Sequence, residues 1–215
     1  DERPELDRWI LSELNTLIKK VDDNLENYEL TPATRDINDF VQEKLSNWYV
    51  RLSRRRFWKG EYNNDKVSAY QTLYECLLNV SKLISPIAPF YSEHIFQSLN
   101  NVSNKEKFES VHISSFPLSF QDQIDTKLEN KINQIRNICS LALSIRKKEK
   151  IKVRQPLKKI IIPVKNDAEK KEIIDAESQI ISEINVKSIE FLDDKDSLLV
   201  KELKPNFKLL GPKYG

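Results

Sequence analysis

The sequence predicts a mainly α-helical fold: a helical bundle over residues 1–150, followed by a small α/β region over 151–215. Apolar residues recur at alternating three- and four-residue steps through most of the first 150 positions, the spacing that lines one face of a helix. Only three glycines occur in 215 residues, while 39% of positions are apolar and can fill a core. After Pro156 the character changes to short runs rich in β-branched residues, which read as strands beside a single charged helix.

The first helix follows Pro4, which suits an opening helical position because its missing N–H has no partner there anyway. Leu6, Ile10, Leu14, Leu17, Val21 and Leu25 then predict one buried stripe. Thr31-Pro32 repeats the start signal, a hydroxyl N-cap followed by proline. Ile37, Phe40, Val41, Leu45, Trp48, Tyr49 and Leu52 carry the stripe of a second helix, with Trp48 and Tyr49 in the core. Gly60 stands where that helix needs a terminator, and Asn63-Asn64-Asp65 supplies capping chemistry for a third helix through Val67, Tyr70, Leu73, Tyr74, Leu77 and Ile84.

Ser85-Pro86-Ile87-Ala88-Pro89 must interrupt the helix, since each proline lacks a donor and restricts the residue before it. Phe90, Ile95, Phe96 and Leu99 predict a shorter apolar face beyond it. Ser110 to Pro117 reads as an extended connector and Ile124 to Arg146 as a fifth helix. In the second region the expected elements are a strand over Lys159 to Val164, one amphipathic helix over Ala168 to Ile184, and strands over Val186 to Leu192 and Leu198 to Leu203. Asp193-Asp194-Lys195-Asp196 lacks the glycine and distal glutamate of a calcium loop and reads as a turn.

Formal net charge is only +2, so affinity for a polyanion has to come from local clusters. One lies in Asn47 to Gly60, where Arg51, Arg55 and Lys59 fall at i, i+4 and i+8 and are expected on one helix face beside Trp48, Tyr49 and Leu52. Like charges at that spacing repel by roughly 0.2–0.5 kcal/mol per pair, so the face calls for an anion. The second cluster runs through Arg146, Lys147, Lys148, Lys150, Lys152 and Arg154. Each has a plain alternative as a solvated helix end.

Several functions are disfavoured. Cys76 and Cys139 sit far apart in apolar helical patterns and read as reduced core thiols, with neither a disulfide framework nor a zinc site. No phosphate-cradling glycine loop or dinucleotide fingerprint occurs, and His94 and His112 read as structural or solvated rather than catalytic. No apolar run reaches the roughly 18 residues of a membrane helix, so a cytoplasmic protein without a membrane partner is expected. The lack of any Met suggests a piece of a longer polypeptide.

Four stretches carry a family resemblance that covers essentially the whole chain. Glu5-Leu6-Asp7-Arg8-Trp9-Ile10-Leu11-Ser12 is similar to the entry helix of the anticodon-binding region of class I isoleucyl-tRNA synthetases, and Asn47 to Lys59 resembles that family's Arg-rich helix. Leu83 to Phe90 resembles a Pro-containing core segment shared with the valine and leucine enzymes. Lys150 to Leu157 resembles the join into the C-terminal part. The Arg-rich stretch favours the isoleucine enzymes, with the valyl-tRNA synthetases as the alternative.

The resemblance implies a bundle that holds the anticodon stem-loop of an isoleucine tRNA while a separate catalytic domain, also a partner, joins the amino acid. The family's two catalytic signatures are missing, so no catalytic residue is expected here. Nor is a metal or cofactor; ATP and Mg belong to the parent enzyme's catalytic domain, and the parent is expected to be a monomer. The candidate tRNA-binding residues are Arg51, Arg54, Arg55, Arg56, Trp58, Lys59, Arg146, Lys147, Lys150, Lys152 and Arg154. For the arginines of the first cluster an internal role stands equally open, by pairing with buried acids or by docking the catalytic domain as a structural adaptor.

Overall fold

The computed structural model of the chain describes residues 3–59, 61–164 and 166–192. It divides into two compact units, 1–132 and 133–215, with the division inside a helix; residue 150, the expected boundary, lies just past that helix's end. Each unit is described by itself. The terminator Gly60, the turn at 193–196 and the strand over 198–203 lie outside the described residues.

In the first unit the helices are α1 (Glu5–Glu26), α2 (Leu30–Asp39), a π-helical segment (Phe40–Val50), α3 (Arg54–Trp58), α4 (Asn64–Ile84) and α5 (Pro89–Ser103). The start of α6 (Thr126–Lys148) completes it. α1 is packed by α2, the π segment and α4. Its expected stripe is buried at Ile10, Leu14, Leu17 and Val21, but so is every residue from Trp9 to Asn15. Over that stretch α1 is therefore wrapped on all sides, while Arg8, Lys19, Lys20, Asp22 and Asp23 of the same helix stay exposed.

Polar residues can lie on those other sides because each finds a partner, which removes most of the cost of burial. The Ser12 hydroxyl donates to Glu129 Oε1 at 2.6 Å and accepts from the Asp125 N–H at 2.8 Å. Thr16 donates to the same Glu129 oxygen at 2.8 Å. Glu13 pairs with Lys44, and Asn15 accepts from the Phe120 N–H at 2.9 Å.

The second helix departs from its expected form in two ways. It starts at Leu30 with Glu29 at the N-cap position, so Thr31 lies inside the first turn and makes no cap. Pro32 sits in that turn too, where a missing donor costs nothing because the first four N–H groups have no helical partner. From Phe40 the winding widens for eleven residues. The buried positions then step by five, from Phe40 to Leu45, and both Trp48 and Tyr49 reach the core as expected.

Asn63 caps α4 as expected, its side chain accepting from the Lys66 N–H at 2.9 Å. Pro89 opens α5, where Phe96 is buried but Phe90 is 92% exposed, against its expected place on the apolar face. Cys76 and Cys139 are both buried, and burial drives the Cys76 thiol well above its usual range.

In the second unit β1 (Ile160–Pro163) and β2 (Ile189–Leu192) pair in parallel, Ile160 opposite Ile189. A parallel pair needs a long crossover, and α7 (Asp167–Asp175) and α8 (Glu177–Ile184) supply it. These are two helices where one was expected, parted at Ala176. The apolar interior holds Ile162, Val164, Ile173, Ile180, Ile184 and Val186.

Candidate nucleic-acid interface

The first basic cluster splits by depth. Arg56 turns inward: its Nη1 lies 2.6 Å from Asp7 Oδ1 and its Nη2 2.8 Å from Asp7 Oδ2, a two-pronged pair across forty-nine residues. Its Nε donates to Asp65 Oδ2 at 3.0 Å and its Nη2 to the Asp65 carbonyl at 3.0 Å. Asp7 is 0% exposed and also accepts from the Tyr49 hydroxyl at 3.0 Å and the Ser68 hydroxyl at 2.8 Å.

Such a site favours the ion pair strongly. The hydrogen bond to Asp7 holds the Arg56 guanidinium protonated even more firmly than usual, overcoming burial, with Asp65 adding to the effect. Burial first, and the Asp7 carboxylate second, push the Tyr49 phenol up, so it stays a donor. Arg56 is thus tied into the fold through Asp7 and Asp65, the internal role that the sequence left open beside RNA contact.

The neighbouring side chains point out. Phe57 is buried edge-on against Tyr49 (6.4 Å between centroids) and Tyr70 (5.3 Å), and the Tyr70 hydroxyl donates to the Phe57 carbonyl at 3.2 Å. With 56 and 57 both tied inward, a five-residue helix must turn its remaining side chains outward. Arg54, Arg55 and Lys59 are exposed, and Trp58 is 81% exposed. Arg51 is exposed as well, its guanidinium 5.8 Å from the centre of the Trp48 ring and its Nε donating to the Asn47 carbonyl at 2.7 Å.

The expected common face of Arg51, Arg55 and Lys59 ends early, because Lys59 has already left the helix with extended backbone. What remains is an exposed edge of arginines flanking one exposed indole. Cations can neutralise phosphates, and a free aromatic face can stack on an unpaired base.

The second cluster, in the second unit, divides in the same way. Arg146 is only 3% exposed and donates to the carbonyls of Lys152 (3.2 Å), Gln155 (3.0 Å) and Asn185 (2.9 Å). It too is an anchor rather than a surface contact. Lys147, Lys150, Lys152 and Arg154 are exposed around it.

Asp7, Ser68 and Asn185 are structural partners that local spacing did not reveal. Asp7 has an acidic side chain on an apolar helix, a mild signal for a buried pair, yet its partner lies far along the chain. His94 and His112 are exposed. Among the described residues no group of His, Cys, Asp and Glu is arranged to hold a metal ion, and no helix is long and apolar enough to cross a membrane.

A helical bundle with an exposed edge of cations and one indole has the charge and the stacking surface that an RNA-binding module would use. Residues 7–162 match the model of the anticodon-binding domain of tRNA ligases, and the chain belongs to that family. Isoleucine–tRNA ligases are among its curated relatives. That of Porphyromonas gingivalis is 53% identical over 213 residues, covering 99% of this chain and 18% of the relative. That of Cytophaga hutchinsonii is 51% identical, covering 100% and 19%, and that of Bacteroides thetaiotaomicron 49% identical, covering 100% and 18%. The chain thus spans less than a fifth of the length of the curated relatives it matches.

Proposed function

We propose that this chain is the module with which a cytoplasmic, monomeric isoleucine–tRNA ligase grips the anticodon stem-loop of its tRNA. A catalytic domain elsewhere in the parent would use ATP and Mg to join isoleucine to the acceptor end. The observation that carries the reading is the edge formed by Arg54, Arg55, Trp58 and Lys59, held outward because Arg56 and Phe57 are locked inward. Whole-chain identity of about half to isoleucine–tRNA ligases supports the choice of amino acid.

In this mechanism Arg54, Arg55 and Lys59 neutralise loop phosphates and set register, while Trp58 stacks on a splayed base. In this reading the bond-making groups lie in the parent's catalytic domain. The test is binding of the chain to isoleucine tRNA and to the same tRNA with an altered anticodon, at two salt concentrations. The expected result is tighter, salt-sensitive binding of the unaltered tRNA. Equal affinity for both, or affinity unmoved by Arg54→Ala with Arg55→Ala, overturns it in favour of an edge that docks on protein.

A further inference from the structure

The segment from 146 to 154 carries six cations and a single acid, Glu149. A free loop would spread such charges apart, but this one is fastened from below. The Gln155 N–H donates to the Lys152 carbonyl at 3.0 Å, closing a turn. Arg146 gathers the carbonyls of Lys152 and Gln155, and Asn185 Nδ2 donates to the Val153 carbonyl at 2.8 Å. Asn185 itself ends α8 in the left-handed conformation at φ 53°, which aims its backbone carbonyl at both Arg146 Nη2 and the Leu157 N–H, 3.1 Å away.

Three successive parts of the turn therefore have their carbonyls drawn into one clasp, and the side chains of Lys150, Lys152 and Arg154 are left exposed. Backbone carbonyls satisfy the Arg146 donors without cancelling its charge. A buried positive charge thus fastens a turn whose exposed side chains at 150, 152 and 154 are positive as well. Preorganising like charges is unfavourable on its own and becomes favourable when an anion binds, because the repulsion has already been overcome.

We propose that Arg146 and Asn185 are positioning residues that hold the turn as a preformed platform for RNA backbone phosphates, contacted by Lys150, Lys152 and Arg154. The assignment rests on the tRNA reading above and adds a second, sequence-independent phosphate site to it. Arg146 acts through the turn and does not touch the RNA.

Asn185→Gly is the decisive variant. Glycine accepts the left-handed backbone and keeps the carbonyl that Arg146 uses, so only the donor to Val153 is lost. Affinity of the 215-residue chain for isoleucine tRNA is measured across a salt series in wild type, Asn185→Gly, the Lys150→Ala/Lys152→Ala/Arg154→Ala triple variant, and all four changes together. The triple variant is expected to lower the salt slope by about two to three, near one for each phosphate contact removed. Asn185→Gly should weaken binding roughly three- to tenfold in the wild-type background and have no further effect in the triple variant, the signature of residues acting as one unit.

An Asn185→Gly effect of equal size in both backgrounds, or none in either, overturns the positioning role. A triple variant with unchanged slope overturns the platform while leaving the tRNA reading intact. Absence of tRNA binding by the wild-type chain removes that reading and the platform with it.

Discussion

Arg56 and Asp7 form a two-pronged ion pair, with 2.6 and 2.8 Å between their facing atoms, that ties the basic helix α3 to the first turn of α1. The pair sets which residues of the Arg-rich stretch are surface and which are frame. Ser68 of α4 and Tyr49 of the π segment converge on the same carboxylate, so four segments meet at one buried charge.

Removing one partner from such a pair leaves the other buried and uncompensated. Asp7→Asn is expected to destabilise the chain by about 3–5 kcal/mol in urea unfolding. Arg55→Ala, one position from the anchor but exposed, should stay within about 0.5 kcal/mol of wild type. Similar losses for both variants would mean that the split between anchor and surface is wrong.

The exposed indole gives a second expectation. Trp58→Ala should leave folding stability nearly unchanged, because the side chain buries little, while costing about 1–3 kcal/mol of tRNA affinity if it stacks on a base. Trp58→Phe should recover most of the loss, since it keeps an aromatic face. An affinity drop that phenylalanine does not repair would argue against stacking.

Helix positions were legible where local patterns decide them. Asn63 caps the helix it was expected to cap, the chain breaks between α4 and α5 at the proline segment 85–89, and Ile10, Leu14, Leu17 and Val21 lie in the core where their spacing puts them. Burial of Asp7, Ser12, Glu13 and Asn15 was not legible, because it depends on partners in α3, the π segment and the stretch from 120 to 129. Periodicity sees one helix at a time and prices a polar residue as exposed. The same limit explains the basic clusters: the sequence located both, but only long-range partners distinguish Arg56 from Arg55 and Arg146 from Lys147.

Glu93 offers a test by pH. Burial alone would raise its carboxyl, but hydrogen bonds from the Val111 N–H (2.9 Å), the Ser110 hydroxyl (2.9 Å) and the Gln97 amide (2.7 Å) hold it below the usual carboxylate range. A depressed folded value adds stability above the unfolded pKa, near 4.3 for glutamate, that is lost as pH falls through the folded value. Wild type should therefore lose more stability than Glu93→Gln between neutral pH and pH about 3. Parallel stability curves for the two proteins would show that this clamp contributes nothing to acid sensitivity.

Tyr28 ends α1 in the left-handed region at φ 61°, the position where glycine is usual. Its N–H donates to the Leu25 carbonyl at 3.0 Å and the Glu29 N–H to the Asn24 carbonyl at 2.8 Å, so the helix end is well closed despite the strain. The ring is 93% exposed and recovers almost nothing by packing. A side chain at this backbone costs about 1–2 kcal/mol, partly offset in glycine by its greater freedom when unfolded. Tyr28→Gly is accordingly expected to stabilise the chain by up to about 1 kcal/mol, a rise of roughly 2–4 °C in Tm for a chain of this size. Tyr28→Ala removes the ring but keeps the Cβ atom that causes the clash, and should bring no such gain. Equal stabilisation by both would trace the effect to the aromatic ring instead of the backbone.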